Sequence, residues 1–113
     1  MKKAVVIFVL AAAFGLFAAG PGPAPAADGQ DLFTDMGCVS CHKPDRKTAG
    51  SALKDIAQAY GGDEAALLKF FRDESKPLVV PQLPASMAKQ REKIKLLSEE
   101  DQKALAAYIL SQQ

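Results

Sequence analysis

Cys38, Cys41 and His42 are the residues whose types and spacing point to a definite chemistry. They stand in the run Cys38-Val39-Ser40-Cys41-His42, a CxxCH pattern. Two thiols three positions apart on one helical turn can add to two vinyl groups along one edge of a porphyrin. An imidazole directly after them can swing under the iron as an axial ligand, so the pattern reads as covalent attachment of a c-type haem. Other chemistries fit less well. A closed zinc site needs four ligands, whereas the chain offers two cysteines and one histidine. A thioredoxin-like redox pair needs its CxxC at a helix start within a strand–helix pattern, and no segment alternates long enough to give a strand. A disulfide between Cys38 and Cys41 would close a minimal loop, constrain the unfolded chain little and leave His42 unexplained.

His42 is the single histidine, so a second imidazole ligand from the same chain is ruled out. A thioether is the next suitable donor, and it raises the potential of haem iron relative to harder ligands. Met1 belongs to the leader-like start of the chain. Met36 lies two residues before Cys38, where the attachment loop pins it near the proximal edge. Met87 lies far downstream in a long connection, free to reach the opposite face. A lone loop methionine is otherwise a gap-filler, but iron ligation would give that connection a reason to be ordered. Met87 is therefore the expected sixth ligand, with an open or lysine-filled position as the alternative.

The elements that must position these groups read as helices. Asp28 can cap a first helix with Leu32, Phe33 and Met36 on its apolar side and Gly37 as a left-handed stop. Leu53, Ile56, Ala57 and Tyr60 form one stripe of a second helix ending at Gly61-Gly62. Asp63 then caps a third, with Leu67, Phe70 and Phe71 on one side. Ser98 and Asp101 resemble a capping box opening a C-terminal helix that carries Leu105, Tyr108 and Ile109. Two connections remain: a polar loop from Lys43 to Gly50, and the segment from Ser75 to Leu97. The latter has Pro77, Pro81 and Pro84 in its first half and room for a short helix over 85–97. A connection that long in a small domain is normally functional or disordered.

The start of the chain is of another kind. Lys2 and Lys3 precede an uncharged run from Ala4 to Gly20, then Pro21, Pro23 and Pro25, with Ala24-Pro25-Ala26 as a small-x-small site. Residues 1–26 read as a signal peptide cut between Ala26 and Ala27, leaving a domain over 27–113; retention as an anchor helix is the alternative, and either way the domain is exported. The chain of 113 residues has 14 Lys and Arg against 13 Asp and Glu, so losing Lys2 and Lys3 leaves a slight acidic excess. A formal charge of +1, 7% aromatics and no Trp argue against a nucleic-acid-binding surface. A domain this small is marginal on apolar contacts alone, and exported ones usually add cross-links or a metal. A porphyrin is a flat apolar slab that short helices can wrap in place of the missing core. Leu53, Ile56, Tyr60, Leu67, Phe70 and Leu105 are accordingly expected to line a slot.

With these residues in place, the chain resembles a small bacterial monohaem class I cytochrome c over essentially all of residues 28–113. Cys38, Cys41 and His42 match the attachment and proximal positions, and Met87 matches the distal ligand. Gly29 and Phe33 match the N-terminal helix contact positions, which would pack against Tyr108. The chain departs from the family at Gly50-Ser51, where Gly-Pro is usual, the Pro carbonyl accepting a hydrogen bond from the proximal His. It departs again at Ala88-Lys89, where many members have Pro after the distal Met. The resemblance implies an all-α class I cytochrome c fold of about four short helices around one covalent haem c. It also implies a monomeric periplasmic single-electron carrier, and not an enzyme, with larger redox proteins as donor and acceptor. Its rivals are a haem protein with an open sixth position, catalytic or gas-binding, and a haem-free thiol–disulfide oxidoreductase.

Charge adds one expectation. Lys89, Arg91, Lys93 and Lys95, offset by Glu92, directly follow Met87. If Met87 reaches the iron, these cations sit near the distal haem edge, where Lys43 and Lys47 could extend them into a patch that orients an acidic partner. The plain alternative is a solvated helix face.

Overall fold

The computed structural model describes residues 28–113; the expected signal peptide over 1–26, its Met1 and its cleavage point lie outside the described residues. Within them the chain forms α1 (Gly29–Asp35), a 3-10 turn (Cys38–Ser40), α2 (Leu53–Tyr60), α3 (Glu64–Phe71), α4 (Ala85–Lys95) and α5 (Glu99–Leu110). No strand occurs among the described residues, where an isolated bridge pairs His42 with Lys47. The fold is all-α, as expected.

Local chemistry sets the helix starts. Asp28 accepts from the Gln30 amide at 2.8 Å, Asp63 from the Ala66 amide at 3.0 Å, and Ser98 Oγ from the Asp101 amide at 3.2 Å. Each satisfies an amide that the first helical turn leaves without a partner. The expected Gly37 stop follows α1 with a φ of 78°.

Helix α5 is the element on which α1, α2 and α3 all pack. Its Leu105 and Ala106 are wholly buried. Helix α1 crosses α5 at Gly29, where a side chain would run into the Ala104 carbonyl and approach the Tyr108 Cβ to 2.7 Å. That absence of a Cβ lets Phe33 meet Tyr108, with ring centroids 5.4 Å apart and planes tilted by 55°, a favourable aromatic geometry.

Among the described residues there are five α-helices, the four read from periodicity and caps and, over Ala85–Lys95, the short helix for which the sequence leaves room. The additional helix, α4, spans most of the second half of the Ser75–Leu97 connection. Met87 therefore sits in the first turn of a helix and not on a free loop. Helix α4 buries Ile94 alone, so no apolar stripe announces it. Its residues are mostly strong helix formers, started by Pro84, whose extended backbone (φ −61°, ψ 148°) leads into the first turn.

Candidate haem site

The 3-10 turn brings the CxxCH residues together. The amides of Cys41 and His42 both donate to the Cys38 carbonyl, at 3.2 and 2.9 Å. The polar loop then folds back on them. The Gly50 amide and the Thr48 hydroxyl donate to the Cys41 carbonyl at 2.8 and 2.6 Å. Lys43 Nζ donates to the Val39 carbonyl at 2.8 Å, and the Leu53 amide donates to the Lys43 carbonyl at 2.9 Å.

His42 Nδ1 lies 2.7 Å from the Ser51 carbonyl oxygen. A carbonyl can only accept, so Nδ1 carries the proton and the Nε2 lone pair is left for a metal. The bond expected from a Pro carbonyl thus survives with Ser at this position. Gly50 is what allows the approach: a Cβ there would stand 2.7 Å from His42 Cε1 and 2.8 Å from Nδ1.

These groups border a cavity of about 360 Å³. Cys38, Cys41, His42 and Met87 all line it, as do the six residues expected to line a slot: Leu53, Ile56, Tyr60, Leu67, Phe70 and Leu105. Met36 is absent from its wall; it caps the end of α1 and packs against the core. Cys38 and Cys41 are not joined in a disulfide. Burial raises the pKa of the Cys38 thiol, hydrogen bonding to its own backbone opposes this, and the nearby Cys41 adds to the rise. That is the reverse of the lowered pKa that makes a redox thiol reactive, and it weighs against a thiol–disulfide oxidoreductase. Burial likewise raises the pKa of the Tyr60 hydroxyl, against the effect of a hydrogen bond with the Leu78 backbone. Tyr60 thereby meets the proline-rich segment that brings Pro77, Val79 and Val80 to the cavity. Two thiols, one imidazole with a free Nε2, a thioether and a largely apolar wall suit a covalently held haem.

Sequence reasoning did not single out Gln90, which also lines the cavity; its Oε1 is buried without a partner. Its position three residues after Met87 shares a face only if 85–95 is helical. The basic run does not stay together on one face. Helical rotation of 100° per residue sends Lys89 and Lys93 to the side of α4 away from Met87 and Ile94. Arg91 turns inward, with a side chain 12% exposed and its Nη2 2.8 Å from Asp73 Oδ1. Lys95 pairs with Glu92 at 2.8 Å and reaches Asp73 at 3.9 Å. Lys47, in the other half of the expected patch, is exposed and lies on the cavity wall.

An all-helical domain whose CxxCH turn borders an apolar cavity defines a c-type haem protein, and residues 26–113 match the cytochrome c family, to which the chain belongs. Its relatives include cytochrome c-551 of Stutzerimonas stutzeri, 33% identical over 96 residues that cover 79% of this chain and 81% of the relative. Cytochrome c-551 of Pseudomonas aeruginosa is 32% identical over 92 residues, covering 77% and 79%. Cytochrome c-551 of Pseudomonas denitrificans is 45% identical over a shorter stretch of 40 residues, 34% of this chain and 49% of the relative. The protein is an electron carrier, and its cofactor is covalently bound haem c.

Proposed function

We propose that Cys38 and Cys41 would hold the haem by two thioether bonds, and that His42 Nε2 and Met87 Sδ would hold its iron, in a single-electron carrier. The observation that carries this reading is the shared cavity wall, which includes both thiols, His42 and Met87 and omits Met36. Cys38 and Cys41 would hold the haem covalently without an oxidant, since a thiol brings both the sulfur and the proton that addition to a vinyl group takes up. The haem supplies a one-electron Fe(III)/Fe(II) couple. The Ser51 carbonyl orients His42 and keeps its Nδ1 protonated, which strengthens the ring as a donor. The apolar walls exclude water and limit reorganisation as charge changes. If His42 and Met87 both held the iron, no position would be left for a substrate, which supports a carrier and not an enzyme.

The chain's own start supports a location. Residues 1–26 act as a signal peptide that exports the domain to the periplasm, and among the described residues no helix is long and apolar enough to cross a membrane. There the protein works as a monomer that shuttles electrons between larger redox proteins. Acid–acetone extraction of the purified protein tests attachment, because haem colour should stay with the polypeptide. Colour passing into the organic phase would defeat the thioether assignment.

A further inference from the structure

Helix α4, which carries Met87, has few ties to the rest of the domain. Among the helices it packs chiefly on α3, with Ile94 in the core. At its C-terminal end the buried Gln102 side chain donates to the Ile94 and Leu97 carbonyls, each at 3.3 Å. Its first turn starts from Pro84 with no side-chain cap. Between these ends stands Arg91, one turn beyond Met87 and on the same face as Met87 and Ile94. The Arg91 guanidinium lies over the Phe70 ring, 5.2 Å from its centroid, and Phe70 itself lines the cavity. Asp73, its ion-pair partner, directly follows α3 and its cap Arg72 with a φ of 62°, the one positive value at a non-glycine among the described residues. That left-handed backbone is disfavoured for residues with a Cβ, and here it aims the carboxylate at α4.

We propose that the Asp73–Arg91 pair is a latch that holds α4 so that Met87 stays on the iron. The inference rests on Met87 being the distal ligand. Arg91 is the positioning residue: it is not part of the cavity wall, and acts through the helix that it shares with Met87. Without the carboxylate, a largely buried guanidinium with its Nε already lacking a partner would have no counter-charge. Such a group is costly where it lies, so α4 would shift to hydrate it and would carry Met87 outward.

Exogenous imidazole reads this directly on the haem-loaded ferric protein. It binds where the sulfur has left, so its apparent affinity scales with the population of the opened form. Asp73→Asn removes the charge and keeps a residue tolerant of the left-handed backbone; Arg91→Gln removes it from the other side. Each should bind imidazole about tenfold more tightly than the parent. The double variant should gain no more than either single one, because the pair acts as a unit. Arg91→Lys, which keeps the charge but loses the planar fork, should fall between. Tyr108→Leu weakens the α1–α5 contact, whose ring pair Phe33–Tyr108 lies outside α4, and serves as the stability control. It should lower the urea midpoint and leave imidazole affinity unchanged. Unaltered affinity in Asp73→Asn and Arg91→Gln, or an equal rise in Tyr108→Leu, would overturn the latch. Met87→Ala separates the two readings. If it binds imidazole far more tightly than the parent while the latch variants do not, the latch alone fails. If it binds no more tightly than the parent, distal ligation fails and the latch goes with it.

Discussion

The two sides of the cavity are held by different means. On the side of His42, a stretch from Cys38 to Ser51 carries a dense set of short bonds: Thr48 and Gly50 on the Cys41 carbonyl, Lys43 on Val39, and His42 on Ser51. Most are local in sequence, so they form with little loss of loop entropy. On the side of Met87, one helix rests on Ile94, an ion pair and the Gln102 side chain. A ligand fixed by many short-range bonds is hard to displace. One carried on a lightly tied helix is the side that gives way.

That contrast predicts graded effects. The largest belongs to Gly50→Val, which drives a side chain into the imidazole from a loop that cannot retreat. Overpacking of this kind should cost about 3 kcal/mol, and the yield of haem-loaded protein, read from absorbance per mole of polypeptide, should collapse. Met87→Ala comes next. It should remove about 2 kcal/mol of stability in urea melts, abolish the weak near-red band of the oxidised protein, lower the potential and allow carbon monoxide to bind, with the haem still attached. A retained band would transfer the ligand role away from Met87. Thr48→Val deletes one of two donors to the Cys41 carbonyl and should cost about 1 kcal/mol. Its imidazole affinity should match that of the parent, since the proximal loop does not carry Met87; a rise would erase the distinction between the sides. The smallest effect is that of Lys89→Glu with Lys93→Glu, two exposed residues on the outer side of α4. Stability should move by less than about 0.5 kcal/mol. Reduction by an acidic redox partner, followed by stopped flow across ionic strength, should respond less than it does to Lys47→Glu at the cavity wall.

Sequence alone carried the near side well. CxxCH is a local pattern with a local mechanism, and the caps at Asp28, Asp63 and Ser98 act within three residues of themselves. The Ser51 carbonyl was foreseeable because any residue supplies one. The far side was harder to read. Helix α4 offers Met87 and Ile94 as its spaced apolar residues, two turns apart, so periodicity is silent and propensity makes the helix. Cations adjacent along the chain scatter around its circumference, which is why a run that looks like one patch divides into an inward Arg91, a paired Lys95 and outward Lys89 and Lys93. The partner of Arg91 lies on another element, where no short-range pattern could reveal it.

The dependence of α1, α2 and α3 on α5 also dictates an order of events. A polypeptide made from its N-terminus has α1, α2 and α3 available before the helix against which all three pack. Until residues 99–110 emerge, Phe33 has no Tyr108 to meet and Leu53 and Leu67 have no Leu105. Contacts between distant parts of a chain form late, after local turns have been sampled. Cys38 and Cys41 therefore remain reachable as thiols until α5 docks, while their own turn can already form. Docking of α5 brings Leu105 and Ile109 to the cavity wall, so this one helix acts as the timer that ends the interval for loading the cofactor.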